Sequence, residues 1–152
     1  MRRVSRKGML AVVLINFSKK KIIDFPFLLL YIMMKSNYNL PELIVKAIQN
    51  KKGTDIVILD LEKIEGATCS HYIICTGRST SQVSSIADNI RDELREQVGI
   101  KPYNYDGYRN SEWFVIDYGD IMIHVFLPDV RTHYDLESLW SDADRKEIEN
   151  ID

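Results

Sequence analysis

Few residues in this chain are placed to do chemistry, and their spacing limits what that chemistry could be. The run Cys75-Thr76-Gly77-Arg78-Ser79-Thr80-Ser81-Gln82 joins a predicted strand to a predicted helix. Helix N-termini attract anions, so Gly77, Ser79 and Thr80 could hold a phosphate there. The run has neither the G-x-x-x-x-G-K-[ST] nor the G-x-G-x-x-G spacing. A glycine–serine pair at such a junction also occurs in nucleotidyltransferases. Those enzymes need paired carboxylates on the following strand to hold activating metal ions. Here the next acids, Asp88 and Asp92, lie one turn apart on the helix, and no D-x-D or E-x-D pair follows on a predicted strand. The junction therefore reads first as a capping box, with the Ser79 hydroxyl meeting an orphan N–H and Gln82 reaching back. The alternative is a nucleotidyltransferase-type enzyme using Gly77 and Ser79 on a nucleotide phosphate.

The other reactive residues are equally dispersed. A metal site needs two to four converging ligands. His71 and Cys75 are four apart, a spacing that converges on a helix and diverges on a strand. His124 sits inside an apolar strand and reads as a hydrogen-bonded core histidine, and His133 stands apart from both. No metal or cofactor is expected. Serine, histidine and aspartate are present without the G-x-S-x-G elbow of a hydrolase. Cys69 and Cys75 fall on or beside one strand, too poorly placed to bridge, and read as small apolar residues in a reduced, cytosolic setting.

A denser group is acidic and aromatic: Trp113, Asp117, Tyr118, Asp120, His124, Phe126, Arg131, Tyr134, Glu137 and Trp140. Strand alternation puts Ile121, Ile123 and Val125 on one face and Met122, His124 and Phe126 on the other. If the second face is only partly covered, it presents aromatic anchors ringed by carboxylates, the composition of a protein-binding hot spot. If it is fully covered, the same rings are core. Both readings stand on the sequence, with Trp140 assigned to the core.

The elements that must position these residues follow from periodicity. Leu40, Leu43, Ile44, Ala47 and Ile48 recur at helical spacing behind Asn39 and Pro41, and Lys51-Lys52-Gly53 ends the helix. Ile56–Leu61 and His71–Thr76 read as buried strands. Val83, Ile86, Ala87, Ile90, Leu94 and Val98 form the stripe of a long helix that Gly99 stops. Lys101–Ser111 reads as a polar, tyrosine-rich loop. Trp113–Tyr118 and Ile121–Leu127 are near-continuous apolar runs joined through Gly119, as in a tight hairpin of buried strands. A turn through Pro128 leads to a short helix with Leu136, Leu139 and Trp140 on one side.

The order α-β-β-α-β-β-α implies an α/β (α+β) fold, a mixed sheet of about four strands covered by helices. The second strand, long helix and third strand make a crossover unit, right-handed if those strands are parallel. The expected organisation is an extension over residues 1–33, a domain over 34–143, and a fraying acidic tail over 144–152.

Charge divides along the same boundary. The chain of 152 residues has a net charge of −2. Residues 1–33 carry seven Lys or Arg and one acid, Asp24, leaving 13 basic and 21 acidic residues beyond them, a net of −8. Nucleic acid is bound mainly by neutralising phosphates with Lys and Arg, so the domain is ill suited to it. A basic protein partner fits better. The extension has apolar runs at Met9–Phe17 and Phe25–Met34, both too short to span a bilayer, and no small-residue cleavage site. It is read as a disordered extension or one upstream of the true start.

Five stretches together resemble the ribosomal silencing factor (Iojap-like) family. They are D-I-V-I-L-D-L at Asp55–Leu61, H-Y-I-I-C-T-G-R-S at His71–Ser79, I-A-D at Ile86–Asp88, W-F-V-I-D-Y-G-D-I-M-I-H-V-F at Trp113–Phe126 and R-T-H-Y-D-L-E-S-L-W-S-D-A at Arg131–Ala143. The resemblance implies a fold similar to nucleotidyltransferases without their catalytic acids, and a repressor of translation that is not an enzyme. Such a protein would bind the large-subunit ribosomal protein numbered fourteen and block joining of the small subunit when nutrients run short. Trp113, Asp117, Tyr118, Asp120 and Phe126 would form or support the contact surface, with Arg131, Tyr134 and Glu137 holding the adjoining turn and helix. Monomer and symmetric dimer both stay open.

Overall fold

The computed structural model describes residues 26–30 and 38–151. The chain divides into two units, Met1–Asn39 and Leu40–Asp152. In the first, residues 26–30 are helical; the other expectations for the extension fall outside the described residues. Among the described residues no helix is long and apolar enough to cross a membrane.

The second unit runs α1 (Leu40–Asn50), β1 (Thr54–Asp60), β2 (His71–Thr76), α2 (Thr80–Val98), β3 (Asn104–Asp106), β4 (Trp113–Asp117), β5 (Ile121–Phe126), α3 (Pro128–Tyr134), α4 (Leu136–Leu139) and β6 (Asp144–Ile148). One mixed sheet of six strands has the order β3-β4-β5-β2-β1-β6. The central four are the predicted ones. The two edges correct the expectation of about four strands: β3 lies in the stretch read as polar loop, and β6 in the stretch read as a fraying tail. Both are nearly all exposed, so no alternation of apolar residues marks them. Backbone pairing to a neighbour forms them instead, with Asn104–Asp106 laid along Asp117–Val115 and Asp144–Ile148 along Asp60–Ile56.

The crossover also needs correction. The parallel partner of β2 is β5, paired from His71↔Ile121 to Thr76↔Phe126. β4 lies outside β5 and antiparallel to it. The hairpin thus docks on β2 through its second strand, which puts Trp113 away from the sheet centre. Gly119 makes this hairpin possible: its φ is +86° and Tyr118 N–H closes the turn on the Ile121 carbonyl at 2.9 Å.

Alternation along the strands divides the interior into two layers. Ile73, Cys75, Phe114, Ile116, Ile121, Ile123 and Val125 pack with Ile44, Ile48, Val83, Ile86, Ile90 and Leu94 of α1 and α2. Val57, Leu59, Tyr72, Ile74 and Phe126 face the opposite side, covered by Leu61, Ile64 and Cys69 and by Val130, Leu136 and Trp140. The division within β5 is the expected one. α2 starts close against its strand because Gly77 has no side chain; a Cβ there would lie 2.8 Å from a Val83 methyl. Both cysteines are buried and not joined in a disulfide, and burial pushes the Cys75 thiol up to about 12.

The terminal helix is two short helices in the structure. Pro128 opens α3, where its missing N–H is harmless. Asp135 then takes a left-handed φ of +46° and breaks the helical run before α4. With only four residues in α4, Leu139 is left 70% exposed, contrary to its expected place beside Leu136 and Trp140. Trp140 is half-buried, edge-on to Tyr72 at 5.8 Å.

Candidate functional site

At the strand–helix junction two of the three phosphate candidates, Gly77 and Ser79, are engaged within the fold, the Gly77 N–H donating to the Phe126 carbonyl at 2.9 Å. Ser79 caps α2, its Oγ accepting the Gln82 N–H at 3.2 Å. Gln82 reaches back one residue further than a capping box requires, and its Oε1 accepts the Arg78 N–H at 2.8 Å. Its Nε2 donates to the Lys51 and Lys52 carbonyls, each at 3.0 Å. The Arg78 and Gln82 N–H groups are thus spent on the cap, and the same glutamine ties α2 to the turn after α1.

The acids of α2 are likewise internal partners. Asp88 pairs with Arg91 and accepts the Tyr108 hydroxyl at 2.7 Å, and Asp92 pairs with Arg95 at 3.0 Å. Among the described residues no three His, Cys, Asp or Glu side chains converge as metal ligands would. His71 stands 3.9 Å from Asp60, and His133 packs edge-on against Tyr134.

The aromatic and acidic group falls into three places. At the open end of the hairpin, Trp113 is paired with Phe126 across the strands. The indole stacks on Phe126 at 4.9 Å and meets Tyr134 at 4.7 Å. Phe126 is only 1% exposed, whereas Tyr134 is 53% exposed and Trp113 half-buried. Glu112 and Asp135, the chain neighbours of these two rings, are exposed. The result is a ledge of one half-open and one open ring, flanked by carboxylates, on a buried phenylalanine.

At the other end, about 13 Å along β4 at the usual rise per residue, lie Asp117, Tyr118 and Asp120. Asp117 and Tyr118 are buried and cannot touch a partner directly. Asp117 Oδ1 accepts the Gly119 N–H at 2.7 Å and holds the turn. Tyr118 lies in the helix-covered layer with Phe114 and Ile116, and burial pushes its phenol up to about 12, against the pull of Arg91. Asp120 is half-buried, and its carbonyl accepts the Ser70 and His71 N–H groups at 2.9 and 3.0 Å.

The third place is Arg131 with Glu137. Arg131 Nη2 meets Glu137 Oε1 at 2.5 Å, and Nη1 donates to the Asp55 carbonyl at 2.6 Å and to Thr76 Oγ1 at 2.9 Å. One guanidinium thus joins α3, α4, the start of β1 and the end of β2. The junction lies between two shallow grooves of about 590 and 490 Å³, the first bordered by Trp140 and Arg145, the second by Thr54, Arg78 and Asn150.

Several participants escape a reading of the sequence. Asp55 takes a left-handed φ of +51° at an irregularity between Thr54 and Val57, and its N–H donates to Asn150 Oδ1 at 2.8 Å. Asn150 is 95 residues away in the chain, so no local pattern links them. The carbonyl that Arg131 needs is thereby held by the C-terminal stretch. Trp113 Nε1 donates to His124 Nδ1 at 3.1 Å, which gives the histidine read as a hydrogen-bonded core residue its partner. Tyr103, Tyr105 and Tyr108 stand exposed around β3, and the Arg91 guanidinium lies 4.1 Å over the Tyr105 ring.

Comparison with known proteins gives the site a context. The family model described as "Ribosomal silencing factor during starvation" matches residues 35–152. A ribosomal silencing factor from Halalkalibacterium halodurans is 38% identical over 116 residues, which is 76% of this chain and 97% of that protein. One from Bacillus subtilis is 39% identical over 97 residues, 64% and 80% of the two chains. The crystal structure of a Chromobacterium violaceum protein superposes with a TM-score of 0.63 at 35% identity, covering 67% of this chain and 83% of that one.

Proposed function

Because the chain belongs to the ribosomal silencing factor family, a family of translational regulators, we propose that it represses translation by occupying the large ribosomal subunit. Its contact is a basic protein of that subunit, the one numbered fourteen, on the face where the small subunit docks. Occlusion requires no bond to be made or broken. A folded domain burying about 1,200–2,000 Å² would be held firmly enough.

The observation that carries this reading is the Trp113–Tyr134 ledge. Rings that are open on one side and packed on the other are pre-ordered, so little side-chain entropy is lost on docking. Glu112 and Asp135 beside them, and the net −8 of residues 34–152, suit a positively charged partner. In this reading Phe126 supports the ledge from below. Asp117 and Tyr118 fix the hairpin, and Arg131 and Glu137 hold α3 and α4 in place.

The test is pelleting of the purified chain with large subunits. Tyr134→Ala removes an exposed ring at little cost to the fold, and Trp113→Ala removes the ring beneath it. Each is expected to weaken binding by about 30-fold, the loss of a hot-spot side chain. Binding unchanged in both variants would place the contact elsewhere.

A further inference from the structure

His124 is the polar residue least expected where it stands. It lies in β5 between Ile123 and Val125, 4% exposed, with the Tyr72 ring at 4.8 Å and the Phe126 ring at 6.0 Å. Nδ1 accepts the Trp113 indole N–H, so in the neutral ring the proton is on Nε2. Nε2 is buried and has no hydrogen-bond partner among the described residues. A buried donor without an acceptor is costly, and phenylalanine would fill the same space without that cost. Packing therefore does not explain the histidine; the bond made by its other nitrogen does.

What that bond restrains is the ledge. Trp113 lies nearly flat on Phe126, at an interplanar angle of 24°. Stacking of that kind resists tilting but lets a ring slide or rotate in its own plane. The indole N–H is the one directional group on the ring, and its acceptor selects a single orientation. Burial lowers the His124 pKa to about 4, which keeps the Nδ1 lone pair available at neutral pH.

We infer that His124 is a positioning residue for partner binding: it orients the Trp113 indole, and through it Tyr134, for contact with the large subunit. The inference rests on the docking surface proposed above. Two variants of the full chain test it. His124→Phe keeps the ring and loses the acceptor, whereas His124→Asn places an amide oxygen near the former Nδ1. The readouts are the indole N–H resonance of Trp113, identified by its absence in Trp113→Phe, and affinity for large subunits.

In His124→Phe the indole proton is expected to move upfield and exchange faster, and affinity to fall about 10-fold. His124→Asn is expected to restore the indole signal and most of the affinity. A displaced indole signal with wild-type affinity, in whichever variant folds, would overturn the positioning role. If Trp113→Ala still weakens binding in that case, the docking surface survives. If Trp113→Ala binds normally, the docking surface fails, and the role assigned to His124 with it.

Discussion

Arg131→Met should lower the unfolding free energy by about 3 kcal/mol, the cost of stripping the partner from a largely buried charge. The Arg131 and Glu137 side chains are 13% and 15% exposed. Without the guanidinium, the nearest cation to Glu137 is Arg145 at 3.9 Å, itself shared with Glu147 at 2.9 Å. The Asp55 carbonyl and Thr76 hydroxyl lose a donor in the same step. Partial relief by Arg145 keeps the effect at the lower end of the range for broken buried pairs. A second substitution, Glu137→Leu, removes the orphaned carboxylate and should recover more than half of the loss, because the two sites act as a unit. Urea denaturation of the single and double variants measures both values. An unchanged midpoint in Arg131→Met would show that α3 and α4 are held by their apolar contacts alone.

Acid should weaken the fold through His124. Its folded pKa is about 4, against 6.5 for the free side chain, with burial as the cause. Between those values the unfolded chain binds the proton and the folded chain does not, so stability rises with pH across the window. The contribution is complete above about pH 6.5, is lost as pH falls toward 4, and amounts to about 3 kcal/mol. Carboxylates also titrate near the lower limit, so the informative quantity is the difference between the wild-type chain and His124→Phe. Stability from urea denaturation at intervals from pH 7 to pH 4 should fall more steeply in the wild type. Equal slopes would mean that the imidazole is protonated in the folded state.

Burial periodicity made the centre of this fold readable. α1 and α2 each bury a regular stripe, the inner strands are short apolar runs buried on both faces, and the Gly119 turn and the Ser79 cap carry their own local signatures. The edge strands carry no such stripe, since their stability comes from backbone pairing rather than from side chains. The division of the candidate site had a similar origin. Alternation gives the face of Tyr118 but not what covers it, and α2 does. Asp117 looked like a surface carboxylate because its work, a bond to Gly119 N–H, is invisible without the turn. Arg131 was noticed as a residue, but its partners at Asp55 and Thr76 lie 76 and 55 positions away. Trp113 and Tyr134 were both anticipated, and their contact became visible only once α3 was seen to fold back over the open end of the hairpin.

Steric occlusion is tested most directly by ordering the additions. Large subunits are first saturated with the chain, small subunits are added, and the mixture is separated on a sucrose gradient. The joined-ribosome peak should shrink in proportion to the large subunits occupied, with the chain found only in the large-subunit fraction. A full joined peak over saturated large subunits, or the chain migrating within that peak, would contradict occlusion.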